Sequence, residues 1–130
     1  MASGRPMVRP STTSQGRTAE EAAAAFLVLD GFQVLARNLR LGPLEIDIVA
    51  RRDDLVALVE VRHRSADGRV GPFESVGFKK RKTLLAAAER YARQELPKLE
   101  GVARLRIDVA AVEFTATGPI VRISQGALTG

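Results

Sequence analysis

A chain of 130 residues is long enough for one domain with a real core and too short for two of ordinary size. With 45% hydrophobic and 27% charged residues it is globular in composition, not disordered, and the absence of cysteine excludes disulfides, thiolate metal sites and cysteine nucleophiles. Twenty Lys and Arg against 15 Asp and Glu leave +5 and a sequence pI near 10.4, a field that draws polyanions such as nucleic acid.

Residues 1–15 mix Pro, Ser, Thr, Gly and Arg without an apolar period and read as a flexible tail, which leaves 16–130 as a single domain. The tail lacks the apolar stretch of a secretory signal, and the longest apolar run, "AAAAFLVL", is too short to span a bilayer. A cytoplasmic protein with no membrane attachment is expected. "TAEEAAAAFLVLDG" predicts a first helix, with Thr18 as its cap, Glu20 and Glu21 early and Gly31 closing it. "FQVLARN" alternates Phe32, Val34 and Ala36 against Gln33 and Arg37 as a strand does, although Leu35 interrupts it. "PLEIDIVAR" and "LVALVEVRH" predict two central strands joined by the charged turn "RDD". Residues 78–96 place Leu84, Leu85, Ala88, Tyr91, Ala92 and Leu96 near helical spacing, with Pro97 ending the helix. "ARLRIDVAAVEF" and "PIVRIS" predict two more strands around "TATG". The order αβββαββ fits an α/β fold of one sheet flanked by helices.

The two central strands each carry a carboxylate where an aliphatic residue would pack better. If the hairpin turns at Asp53 and Asp54 so that Arg52 faces Leu55, then Asp47 falls opposite Glu60 and Glu45 opposite Arg62, all on one face. Like charges directly opposite, roughly 5 Å apart at Cβ, destabilise a sheet unless something compensates them. One reading is a divalent cation, Mg²⁺ or Mn²⁺, held by hard carboxylate oxygens. The other is an ionic cluster in which Arg62, Arg37 or Arg51 neutralises the pair without metal. Glu45 is open to a second metal or to an ion pair with Arg62. His63 points away from the face of Arg62 and reads as a half-buried or solvent-facing side chain.

The segments "QGRTAEEAAAAFLVLDGFQVLARNLR", "LEIDIVA", "VEVRHR", "SVGFKKRKTLLAAAERYA" and "RIDVAAV" together resemble the YraN family of small bacterial proteins, from about Gly16 to Ser124. That pattern is similar to the PD-(D/E)XK nuclease superfamily and, within it, to archaeal Holliday junction resolvases. The resemblance implies a restriction-endonuclease-like core, a single mixed five-stranded sheet flanked by helices. It also implies a metal-dependent endonuclease that hydrolyses phosphodiester bonds in DNA, branched or damaged DNA included. In those enzymes a glutamate on the first helix, an aspartate on the second strand and a Glu-x-Lys on the third surround the metal. Carried across, Glu20, Asp47 and Glu60 take the acidic positions, and Val61 offers a carbonyl to the Mg²⁺ or Mn²⁺. Arg62 stands where the catalytic lysine would be. Leu44 and Ala19 each occupy a place where the family usually has glycine. Arginine holds its proton where a buried lysine can lose it, so Arg62 is expected to act by charge and not as a base. Related resolvases work as dimers, and symmetric cutting of two strands needs two sites, so a homodimer is a further implication.

For binding, "FKKRK" opens the second helix, where amides and dipole already favour anions. Lys79, Lys80 and Lys82 are candidate phosphate contacts, with Lys80 nearest the site, and Arg37, Arg40, Arg64 and Arg69 continue a basic rim. "RSADGRVGPFESVG" reads as a loop at the edge of the site, anchored by Phe73 and Val76. One Tyr and no Trp argue against a base-stacking platform. Two other classes stay open: a catalytically weak or inactive nucleic-acid-binding module of nuclease fold, suggested by Arg62, and an interaction protein whose basic surface meets an acidic partner.

Overall fold

The computed structural model describes residues 14–64 and 78–126. Over them the chain runs α1 (Ser14–Leu29), β1 (Gln33–Leu41), β2 (Leu44–Arg52), β3 (Leu55–Arg64), α2 (Phe78–Gln94), a 3₁₀ turn (Leu96–Lys98), β4 (Arg104–Thr115) and β5 (Gly118–Ser124). The expected order αβββαββ is the observed one. One sheet holds the strands in the order β1-β2-β3-β4-β5. β3 and β4 are parallel, with α2 carrying the chain between them, and the other neighbours are antiparallel. No helix among the described residues is long and apolar enough to cross a membrane.

α1 begins at Ser14, so Thr18 lies inside the helix and not at its N-cap, and Ser14 and Gln15 of the expected tail are helical. The rest of that tail lies outside the described residues, as do Arg69, Phe73 and Val76. Ala19, Ala23 and Leu27 recur every fourth residue and are fully buried against Ile48, Ala50, Ala57, Val59, Ala110 and Val112. Small residues on both partners let the helix lie close to the sheet. Its end is a glycine-closed cap: Gly31 takes φ +91, and its amide donates to the Val28 carbonyl at 3.0 Å while that of Phe32 donates to Leu27 at 2.9 Å. Phe32 and Leu27 then pack in one core cluster.

α2 covers the other face, burying Ala87 and Tyr91 among Leu41, Ile46, Val49, Val56 and Leu58. It stops at Gln94, two residues short of the expected end, and Pro97 belongs to the following 3₁₀ turn. β3 is buried on both sides, Leu55, Ala57 and Val59 toward α1 and Val56 and Leu58 toward α2, which is why "LVALV" is continuously apolar. Leu35, which interrupts the alternation in β1, is the extra residue of a bulge: Val34 faces Ala50 and Ala36 faces Val49.

Asp108 on β4 is 1% exposed. It accepts a two-pronged contact from Arg106, 2.8 and 2.9 Å, and the Gly126 amide at 2.9 Å, tying the chain beyond β5 to the sheet. Removing one partner of a buried pair strands the other charge. Arg106→Ala should therefore cost about 3 kcal/mol in urea denaturation, whereas Arg104→Ala, whose pair with Asp54 is exposed, should cost under about 1 kcal/mol.

Candidate functional site

The β2–β3 hairpin turns at Asp53 and Asp54, with Arg52 facing Leu55, and its ladder runs as far as Ile48 facing Val59. Asp47 and Glu60 are the next residues out, the opposed pair that counting along the strands predicts. Beyond Val59 the ladder gives way to a side-chain bond, in which Asp47 Oδ2 accepts the Val61 amide at 2.8 Å. The further rung expected between Glu45 and Arg62 falls past the end of the ladder. Glu45 is exposed and faces Arg40 on β1.

By alternation Asp47 and Glu60 share the face of Val49 and Leu58, the side covered by α2. Beneath them lies a cavity of about 10 Å³ lined by both acids and by Ile46, Leu58, Leu84, Ala87 and Ile107, room for no more than one water. The floor is apolar, and this decides the electrostatics. Burial first, then the charge of Glu60 and more weakly that of Glu20, push the Asp47 carboxyl up to about 7, against the opposing pull of the Val61 amide and Lys80. The cation that meets the pair comes from α2: Lys80 Nζ lies 3.2 Å from Glu60 Oε2, whose side chain is 10% exposed.

Glu20 approaches from α1, in the opposite layer. One of its oxygens accepts from Asn38 Nδ2 at 3.2 Å and lies 3.7 Å from Arg37 Nη2. The fold thus brings Glu20, Asp47, Glu60 and Lys80 into one neighbourhood. Arg62 stands two residues along β3, half-buried. Arg51 is turned to the far end of the sheet, where it donates to the Asp53 and Glu100 carbonyls. Arg64 lies 3.8 Å from Glu113 on β4, Lys79 is in the first turn of α2, and Lys82 is exposed further along it. His63 sets its ring edge-on to Phe114, with centroids 6.0 Å apart.

Sequence reasoning passed over Asn38 as a partner for Glu20. The available signal was an asparagine inside a strand pattern, a residue type that tolerates left-handed backbone. Nor did it anticipate that Lys80 would reach a carboxylate as well as face solvent. Among the described residues no group of three or more His, Cys, Asp or Glu is gathered as a metal cage. Asp47 and Glu60 nonetheless form a hard-oxygen pair suited to Mg²⁺ or Mn²⁺, and their mutual repulsion over an apolar floor is what a divalent charge relieves. Glu20 is the nearby third carboxylate.

This is a one-sheet α/β domain whose acidic pair sits where a central hairpin parts. The chain belongs to the uncharacterised protein family UPF0102, the YraN family, whose model matches residues 19–112. A UPF0102 protein of Sorangium cellulosum is 41% identical over 103 residues, covering 79% of this chain and 72% of that one. One from Anaeromyxobacter sp. is 40% identical over 117 residues, covering 90% and 86%. Among solved structures, Pyrococcus furiosus SfsA in complex with Ca²⁺ gives a TM-score of 0.41 at 12% identity, over 89% of this chain and 63% of that chain. This protein therefore spans less than two thirds of the length of SfsA.

The raised Asp47 carboxyl predicts a pH dependence of stability. Folded protein holds a proton there up to about 7, while the unfolded chain releases it near 3.8. The group's contribution is full below 3.8 and is lost as pH rises through about 7. In EDTA, parent protein should lose about 4 kcal/mol relative to Asp47→Asn across that interval. The variant keeps an oxygen for the Val61 amide. Denaturation curves of equal pH slope for the two proteins would contradict the assignment.

Proposed function

We propose that this protein is a metal-dependent endonuclease that hydrolyses phosphodiester bonds in DNA, branched or damaged DNA being the substrate class suggested by the resemblance to resolvases. The observation that carries the reading is the pair Asp47 and Glu60, half-buried over an apolar floor with Lys80 on Glu60. Two like charges set against each other in partly desolvated surroundings are a mark of functional sites.

On this reading Asp47 and Glu60 hold Mg²⁺ or Mn²⁺, with the Val61 carbonyl and Glu20 as further oxygen donors. When bound, a divalent ion neutralises charge around phosphorus and polarises the attacking water. Asp47 must give up its proton to serve as a ligand, so affinity should rise with pH through about 7. Lys80, half-exposed at the start of α2, would hold a phosphate oxygen of the scissile group and offset the charge that develops in the transition state. Arg62 adds a fixed positive charge along the same strand. Lys79, Lys82 and the guanidinium groups of Arg37 and Arg64 extend the positive edge that the net charge of +5 provides. A homodimer would bring two such sites to a branched substrate.

A second reading, a nucleic-acid-binding module that has lost catalysis, draws on one observation: Lys80 already neutralises Glu60 without metal. Branched, flapped and single-stranded DNA incubated with Mn²⁺ or Mg²⁺ separates the two. The enzyme reading expects cutting that stops with EDTA, is abolished in Asp47→Ala and Glu60→Ala, and falls about 10²-fold in Lys80→Ala. Arg62→Lys should retain cutting. Tight DNA binding with no metal-dependent cutting by parent or Arg62→Lys would leave the binding module.

Binding itself is tested by salt. Replacing Lys79, Lys80 and Lys82 with Ala should weaken affinity for all DNA sequences alike and flatten the dependence of log K on log salt by about 2 to 3. A parental slope in the triple variant would assign those lysines to a solvated helix face.

A further inference from the structure

Among the described residues two that are not glycine have positive φ: Asp53, at a hairpin turn, and Asn38, at φ +52 inside β1. A turn calls for such a backbone and a strand does not. A left-handed residue breaks the alternation that sends successive side chains to opposite faces, and for an L-residue it is unfavourable by roughly 1 kcal/mol.

The register gives the position a meaning. Arg37 faces Ile48 and Leu39 faces Ile46, so the rung between them belongs to Asn38 and Asp47, and on the far side of β2 it leads to Glu60. What the left-handed turn achieves is a contact with the opposite layer. Asn38 Nδ2 and Arg37 Nη2, from consecutive residues, converge on the same Glu20 oxygen, at 3.2 and 3.7 Å. The Glu20 side chain is 12% exposed, and its charge is felt at Asp47.

We infer that Asn38 is a positioning residue for the carboxylate site: its left-handed backbone turns the amide onto Glu20 and, with Arg37, holds that helix carboxylate beside the rung of Asp47 and Glu60. The inference rests on the reading of those acids as a divalent-cation site. Arg37 provides charge at longer range, and Asn38 provides a direct hydrogen bond that fixes one oxygen. Partners that orient ligand carboxylates commonly change metal affinity about 10- to 100-fold when removed. A mere link between α1 and the sheet would instead be felt in stability.

Glycine separates the two roles, because it adopts φ +52 freely while deleting the amide. Mn²⁺ titrations of the full chain by calorimetry, with melting temperatures alongside, would compare parent, Asn38→Gly, Glu20→Gln, the double variant and Asp47→Asn. The expected result is Mn²⁺ affinity at least about 10-fold weaker in Asn38→Gly, at a melting temperature equal to or above the parent's. Adding Asn38→Gly to Glu20→Gln should bring no further loss, since the amide acts through Glu20. Parental Mn²⁺ affinity in Asn38→Gly, with binding lost in Asp47→Asn, would overturn the role of Asn38 and leave the metal site standing. Additive losses in the double variant would likewise overturn it. Absence of Mn²⁺ binding by the parent would remove the metal reading and this inference together.

Discussion

The bond from the Val61 amide to the Asp47 carboxylate marks where β2 and β3 part. In the ladder an N–H at that position would meet a carbonyl of the facing strand; here a side chain receives it, at 2.8 Å. An aliphatic residue at position 47 would leave a part-buried donor without this acceptor, at a cost of about 1–3 kcal/mol. The same bond points Asp47 along the opening between the strands and sets it next to Glu60. Everything else at the site answers to that placement: Lys80 reaches Glu60 from one layer, and Glu20 comes from the other, caught by Asn38 and Arg37.

Satisfying an amide does not require a charge. Asparagine would also accept the Val61 N–H and would not repel Glu60. The two apolar layers are otherwise consistent throughout, from the alanine stripe of α1 to the doubly buried run of β3. Asp108, which is fully buried, sits in a tight fork with Arg106 and so explains itself structurally. Asp47 differs: its surroundings disfavour the ionised form, and the Lys80 ammonium is bonded to its neighbour Glu60. A local conflict inside a consistent fold is where function is expected to sit.

Much of this was legible in the sequence, and the reasons are physical. The acidic turn fixes the register of β2 and β3, and one-to-one pairing along an antiparallel hairpin then determines which residues face each other, so Asp47 and Glu60 could be paired by counting. Glu20 entered through family resemblance alone, because no local pattern tells which helix residue will reach across a sheet. Asn38 was illegible for a related reason: a left-handed residue in a strand violates the period used to find the strand. Leu35 was visible as an irregularity, but only the pairing of Val34 and Ala36 with their partners identifies it as a bulge. The start of α1 was misplaced because Thr18 followed by early glutamates imitates a helix beginning, while Ser14 to Arg17 contribute few apolar residues to the periodic signal.

The source of the positive charge bears on how the site would handle a phosphate. Arg62 is fixed to β3, whereas Lys80 sits on a flexible stem, half-exposed, in the first turn of α2. A cation at a helix N-terminus is disfavoured by the helix dipole, so Lys80 is held there by Glu60 and by no preference of its own helix. An arriving anion reverses the balance, since the dipole and the ammonium both attract it. Glu60, as a ligand of a divalent ion, would have less charge to offer the lysine. On the proposed reading, Lys80 would therefore serve two oxygen partners in turn, the Glu60 carboxylate and a phosphate, while Arg62 keeps the strand side positive.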